Sequence, residues 1–388
     1  VELVDEVPGL PRLGRALRFG QQAEFEPLTY LGALADACLA RGARIHTGVH
    51  VDDVTGGAQP HVVTSDGHTI TARRAAIVCT NTPVNNRVAV HTKQLPYRSY
   101  AIALRVAAGT LPSALWWDTA EPYHYVRLVK ADDRSGDGSD LLIVGGEDHK
   151  VSSVDDGPAR FDRLEAWAKA RFPGCGARTA AWSGQVMEPI DGLAFIGKNP
   201  LDDDNVYIAT GDSGHGLTHG TIAAMMFSEM LFADEGDEHP WAKLYDPRRH
   251  SPSAVGEYAK ETLNAVAQFG RWLQGSDVAD VADIPLGSGA IQRRGLSLVA
   301  VYVDEDGHRR ECSAVCPHLG AIVAWNDLEK SWDCPLHGSR FTTFGTVVNG
   351  PAISNLPRVD AAAPTPGPVP DDAVIERSGP VASWADRK

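Results

Sequence analysis

Two short stretches near the C-terminal end carry the residue types best able to grip a metal. They are Cys316-Pro317-His318-Leu319-Gly320 and Cys334-Pro335-Leu336-His337-Gly338-Ser339. Each supplies one thiol and one imidazole, and each opens a turn bearing Pro and Gly. Four such ligands suit structural zinc, but zinc fingers usually begin with a cysteine pair and end with a histidine pair. A mixed order in both halves suits a two-iron cluster, one iron taking the thiolates and the other the imidazoles. Soft sulfur matches the buried iron, while neutral imidazoles leave the outer iron less negative and raise its potential. Such a centre exchanges one electron at a time. Zinc stays the competing occupant of these four positions.

The surrounding residues, Ser313-Ala314-Val315 before the first loop and Trp332-Asp333 before the second with Ser339-Arg340-Phe341 closing it, resemble the Rieske family. The resemblance implies a [2Fe-2S] cluster on Cys316, His318, Cys334 and His337, with both histidines exposed at the tip as the exit for an electron. Many members add a disulfide that clamps the two loops. Ala321 and Leu336 stand at those positions here, so no clamp and no orphan thiol is expected. Ser339 remains able to donate toward sulfur, whereas Phe341 offers no hydroxyl where some relatives have Tyr. A low to intermediate potential is expected, since hydrogen bonds and solvent access tune it.

Composition narrows the rest. A net charge of −14 argues against nucleic acid or an anionic membrane as partner. No run reaches the ~18 apolar residues of a spanning helix, and Leu296–Val303 is short and β-branched, hence a strand. Cys38, Cys79, Cys175 and Cys312 form no disulfide framework and read as buried small hydrophobes. Without a disulfide signature the expected home is cytoplasmic.

The elements that position these loops follow from periodicity. Leu31, Leu34, Ala35, Cys38 and Leu39 keep helical spacing, with Thr29 as N-cap and Gly42 as stop, and an extended run follows over Arg44–Val51. A hairpin is expected around Ser65-Asp66-Gly67, then strands at Ala75–Cys79, Ser99–Val106, Tyr123–Val129 and Asp140–Gly145. Phe161, Leu164, Ala168 and Phe172 form the inward stripe of a helix starting at Pro158. Asn205–Thr210 is a strand entering a glycine-rich loop, and Thr218–Ala233 is an apolar helix. Residues 234–275 are polar and read as a connector wrapping back on the first domain, with one amphipathic segment near Tyr258–Leu273. Residues 276–360 read as a separate all-β domain, and 361–388 as a Pro- and Ala-rich mobile tail.

A second cofactor is signalled by Trp182-Ser183-Gly184-Gln185, Asp191-Gly192-Leu193-Ala194-Phe195-Ile196-Gly197 and Tyr207-Ile208-Ala209-Thr210-Gly211-Asp212-Ser213-Gly214-His215-Gly216-Leu217. With Asn81-Thr82-Pro83, the stretch from Thr29 to Val51, Trp117-Asp118-Thr119 and Gly145-Gly146-Glu147-Asp148-His149, they resemble the D-amino-acid oxidase and sarcosine oxidase family of flavoproteins. The resemblance covers most of residues 25–235. It implies an α+β fold over 1–235, an α/β part plus an antiparallel substrate sheet. It also implies FAD against Val51, Asn81, Gly211, Ser213, Gly214, His215, Gly216 and Leu217. Physics supports that placement: glycines let backbone approach a planar ring, and amides at a helix start favour the charge of a reduced flavin. The competing reading is a tight turn packing a helix on a sheet, with His215 and His219 as turn or capping residues.

Two departures matter. The G-x-G-x-x-G dinucleotide fingerprint does not occur in these residues, and the resemblance places it N-terminal to them. Since the chain starts at Val1 within a charged segment, it reads as a fragment that by itself binds FAD weakly or not at all. The Arg that clamps a substrate carboxylate in amino-acid oxidases is replaced by Gln185, and Arg127 reads as a solvated sheet residue. The expected function is oxidation of a small amine, amino acid or related C–H substrate, with electrons leaving singly through the cluster. The acceptor or donor is expected to be a protein or quinone-like mediator. The alternative is an electron-transfer module on a flavoprotein-like scaffold without its own substrate.

Overall fold

The computed structural model describes residues 1–7, 10–84, 90–131, 138–151, 156–232, 239–249, 269–273 and 275–359. Two short, largely exposed strands, β1 (Glu2–Val4) and β2 (Ala16–Arg18), pair antiparallel at the start. α1 (Pro27–Ala40) begins with Pro27, whose fixed φ and missing N–H cost nothing in a first turn. The Glu26 carboxylate accepts from the Thr29 amide at 2.6 Å, so Glu26 and not Thr29 is the N-cap. α1 buries no residue; the stripe expected to face inward, Leu31 and Leu34 among it, is exposed. β3 (Val51–Thr55), β4 (His61–Thr64) and β5 (Thr69–Thr71) form a meander, with Gly67 at φ 86° in its second turn. The extended run expected from Arg44 becomes a strand only at Val51.

β6 (Ala76–Val78) precedes the largest sheet. β7 (Gln94–Ala107), β8 (Leu115–Trp117), β9 (His124–Val129), β10 (Ser139–Lys150) and, after α2 (Gly157–Arg171), β11 (Arg178–Pro189) pair antiparallel in the order β11-β7-β10-β9-β8. Side chains alternate across a strand. Tyr100, Ile102, Leu104, Val126, Leu142 and Val144 therefore share one face and pack on Phe161, Leu164, Ala168 and Phe172 of α2 and its C-cap, as the helical stripe predicts. Ser99, Ala101, Tyr125, Arg127 and Gly145 occupy the opposite face. A Cβ on Gly145 would overlap the Tyr125 ring, which is why glycine stands there.

β12 (Phe195–Lys198) and β13 (Val206–Thr210) join β6 in a second sheet, β13 parallel to β6, and α3 (Gly216–Phe232) packs on it through Met226 and Phe227. After α4 (Ala242–Tyr245) the chain returns onto this lobe. Lys93 Nζ donates to the Pro247 and Arg249 carbonyls, and Arg249 makes a paired contact with Asp191 at 2.7 Å. The C-terminal lobe is all β, with β14 (Ser288–Arg294), β15 (Ser297–Val303) and β16 (Arg309–Ser313) in one sheet. β17 (Ala324–Asn326), β18 (Ser331–Asp333), β19 (Arg340–Thr342) and β20 (Val347–Asn349) form the other. Trp332, Phe341, Leu298 and Leu356 fill its core. The whole is α+β. Of the segment expected near Tyr258–Leu273, a short 3-10 turn at Gly270–Leu273 is described; 258–268 and the tail from Ala361 lie outside the described residues. Among the described residues no helix is long and apolar enough to cross a membrane.

Candidate functional site

The two Cys/His loops are built alike. In the first, the Gly320 amide donates to the Cys316 carbonyl at 2.9 Å and the Cys316 amide to the Ala321 carbonyl at 2.8 Å. In the second, Gly338 donates to Cys334 at 3.0 Å and Cys334 to Ser339 at 2.7 Å. Gly320 and Gly338 turn at φ 77° and 78°, a left-handed conformation that favours glycine. The turns bring Cys316, His318, Cys334 and His337 together. Both thiols are buried and in contact, and that contact with burial pushes the Cys334 thiol up, so a cation is needed to hold two thiolates here. Ser339, fully buried, lends a hydrogen bond to the Cys316 sulfur while its oxygen accepts from the Ala352 amide at 3.0 Å. Ala321 and Leu336 pack as hydrophobes where a clamping disulfide was not expected.

The imidazoles fit iron. Burial pushes His337 down to about 4, so the ring is neutral and able to ligate at pH 7. Its Nδ1 is buried and meets no hydrogen-bond partner among the described residues, an orphan that a metal would satisfy. His318 Nδ1 is buried as well. The expected exposed tip is corrected: His318 is 8% exposed and His337 is half-buried, because the N-terminal lobe covers them. His91, two residues upstream of Lys93, sits 3.1 Å from His318 Nε2 through its Nδ1.

Further contacts seat the lobes. Gln185 donates to the Gly338 carbonyl at 3.3 Å and accepts from Asn349 at 2.5 Å. Arg98, buried, donates to Ser183 at 2.8 Å and lies 3.4 Å from Glu329, which also pairs with Arg340. Arg340 makes two bonds to buried Asp333, at 2.7 and 2.6 Å.

The expected flavin residues, Val51 excepted, gather at the ends of β6 and β13. Asn81 has φ 61°, and the Thr210 hydroxyl donates to its carbonyl. Gly211 has φ 69° with Pro189 2.8 Å from where its Cβ would stand. Ser213 donates to Glu188 at 2.5 Å, and His215 folds back on the Ser213 carbonyl at 2.7 Å, the contact that the competing turn reading describes. Gly214, φ 74°, faces open space where a side chain would project, beside exposed Leu217 at the start of α3, while Asp212 Oδ2 stands 2.8 Å from where a Cβ on Gly216 would lie. Asn81, Thr210, Asp212 and Gly216 line a cleft of about 640 Å³. Backbone open at a helix start fits a flavin edge. Val51 lies apart, packing beside Val54 and Val78.

Next to Ser213 the free face of the large sheet forms a wall. A register shift between Gly146 and His149 turns His149 onto Tyr100 and sets Asp148 among the Ser99 and Tyr123 hydroxyls. Burial pushes the Asp148 carboxyl up against those hydrogen bonds, and its Oδ1 has no partner among the described residues. Burial, then the charge of Asp148, pushes Tyr123 up to about 12. Arg127 is half-buried and donates to the Phe25 carbonyl at 3.2 Å, so it is a tethered residue and not the solvated one expected. His91, Arg98 and Asp148 carry no sequence signature; their partners lie far along the chain or across a bulge.

A glycine loop entering a helix beside a broad antiparallel sheet, with paired Cys/His loops seated on that sheet's edge, defines a two-cofactor redox protein. The sequence profile described as FAD dependent oxidoreductase (DAO) matches residues 2–230, and that of the Rieske [2Fe-2S] domain matches residues 274–360. The chain belongs to the FAD dependent oxidoreductase family and carries a C-terminal Rieske domain, so its cofactors are FAD and a [2Fe-2S] cluster, not zinc. It is 28% identical over 347 residues to YhfW of Bacillus subtilis (strain 168), a protein named for a Rieske 2Fe-2S iron-sulfur centre. That alignment covers 89% of this chain and 66% of YhfW. The cytochrome b6-f complex iron-sulfur subunit 1 of the Cyanophora paradoxa cyanelle is 34% identical over 117 residues, 29% of this chain and 45% of that protein. Glycine oxidase from Geobacillus kaustophilus matches in structure with a TM-score of 0.45 at 20% identity, covering 57% of each chain.

Proposed function

We propose that this chain acts as a flavin-dependent oxidoreductase that takes electrons from a small amine, amino acid or related C–H substrate. The electrons leave one at a time through the cluster to a protein or quinone-like mediator. We further propose residues 1–235 as the flavin part, 236–275 as connector, 276–360 as the cluster domain and 361–388 as a tail, in a reducing cytoplasmic setting. When bound, FAD supplies hydride acceptance from a C–H bond beside nitrogen or oxygen, and the cluster supplies one-electron exchange. Asn81, Gly211 and Ser213–Leu217 would hold the flavin edge, and Cys316, His318, Cys334 and His337 the irons.

Asp148 carries the reading. A half-buried carboxylate with an unanswered oxygen, on a wall of Ser99, Tyr123 and Tyr125 beside the flavin loop, is suited to an amine nitrogen. The tyrosine rings exclude water and present faces to a cation. Gln185, which stands where a carboxylate clamp was sought, is turned to the Rieske lobe instead. Anaerobic flavin bleaching of the intact gene product by a panel of amines and amino acids tests this. Asp148→Asn should lower kcat/KM for amines by about tenfold to a hundredfold, the worth of a hydrogen bond to a charged group. Equal bleaching by parent and variant across the panel would remove Asp148 from the substrate site.

A further inference from the structure

Three imidazoles meet where the lobes touch. The His91 and His318 rings stand 4.9 Å apart at 64°, His318 and His337 4.9 Å apart, and His91 and His337 6.2 Å apart. His91 is buried, and its two nitrogens are committed in opposite directions: Nε2 to the Pro83 carbonyl at 2.8 Å, Nδ1 to His318 Nε2 at 3.1 Å. A carbonyl oxygen can only accept, so His91 Nε2 carries a proton. In the neutral ring Nδ1 is then the acceptor, and His318 Nε2 must supply the proton between them. That leaves the lone pair of His318 on its buried Nδ1.

We propose that His91 is a positioning residue of the iron–sulfur centre, one that uses the Pro83 carbonyl to fix the ligating tautomer of His318 from the opposite lobe. This rests on the ligand assignment proposed above. The contact also ties the cluster edge to the Asn81-Thr82-Pro83 segment, whose first residue borders the flavin cleft, so both cofactor sites share one hydrogen-bonded link. Because an acceptor on the far nitrogen makes a ligating imidazole a stronger donor to iron, it favours the oxidised cluster. Removing it raises the potential.

The test uses the full chain with its cluster in place, read by redox titration of the cluster absorption and by electron paramagnetic resonance of the reduced state. His91→Phe should keep iron and sulfide but shift the potential upward and alter the g-values, whereas His91→Asn, which retains an acceptor, should return both toward the parent. Unchanged potential and g-values in His91→Phe overturn the proposal, as does an Asn variant that behaves like Phe. A second measurement needs no variant: in reduced protein labelled with 15N-histidine, the remote nitrogens of the two ligand rings should show unequal spin-echo couplings. Equal couplings overturn the role of His91 while leaving the centre intact. Absence of the parent's own paramagnetic signal overturns the ligand assignment itself.

Discussion

Gln185 on the edge strand of the large sheet reaches the carbonyl of Gly338, in the second cluster loop, at 3.3 Å and also receives a bond from Asn349. The side chain thus bridges to both the loop and β20. A Cβ on Gly338 would collide with the Gln185 amide, so the approach depends on glycine on one side and an amide on the other.

Gln185→Ala removes two hydrogen bonds across this seam, worth about 1 kcal/mol each. The expected outcome is earlier melting of the Rieske lobe in scanning calorimetry and faster protease cleavage between the lobes, with the flavin site unaffected. A single unshifted transition would count against the seam.

Asp333 and Arg340 set an acid limit on the cluster lobe. Burial works to raise the Asp333 carboxyl, but the two Arg340 bonds outweigh it and the net shift is downward from the ordinary 3.8. A carboxyl depressed in the fold contributes stability that is present above the unfolded value and lost as pH falls through the folded one. Stability of this lobe should therefore hold at pH 5 and above and decline below about pH 4. Asp333→Asn leaves buried Arg340 with its 3.4 Å contact to Glu329 but without the paired Asp333 bonds, costs up to about 3–5 kcal/mol and flattens that acid decline. Denaturation curves between pH 3 and 7 measure both.

Gly145→Ala places a methyl group in the Tyr125 ring. Overpacking of this kind costs about 1–3 kcal/mol, so the melting temperature should fall and amine turnover with it, since Tyr125 belongs to the wall beside Asp148. Retained stability with a normal tyrosine environment by fluorescence would show that the ring has room to move.

Cys334→Ser should abolish the reduced-state paramagnetic signal and cut bound iron while far-UV circular dichroism of the N-terminal lobe persists. A surviving signal with unchanged g-values would remove Cys334 from the ligand set.

Much of the chemistry was legible because it is local. The cluster loops each lie within six consecutive residues, and their glycines mark turns that any reading of spacing detects. The α2 stripe was equally clear, since Phe161, Leu164 and Ala168 repeat at helical spacing and do meet a sheet. α1 has the same periodicity, but among the described residues nothing buries its stripe, so the apolar spacing alone did not tell an inward face from an outward one. Exposure of His318 was misjudged because its cover, His91, stands 227 residues earlier and leaves no trace in local composition. Asp148 was hidden by a bulge: strict alternation cannot tell which face a residue takes after Gly146, where the register with β7 shifts.

Closure of the twin loops by backbone amides has a practical reach. None of the six cysteines is in a disulfide, and Ala321 and Leu336 pack as hydrocarbon where the resemblance to the Rieske family puts a sulfur–sulfur strap. Millimolar dithiothreitol or glutathione has no covalent staple to cut here, so the lobe keeps its shape in media that would unlace a strapped relative.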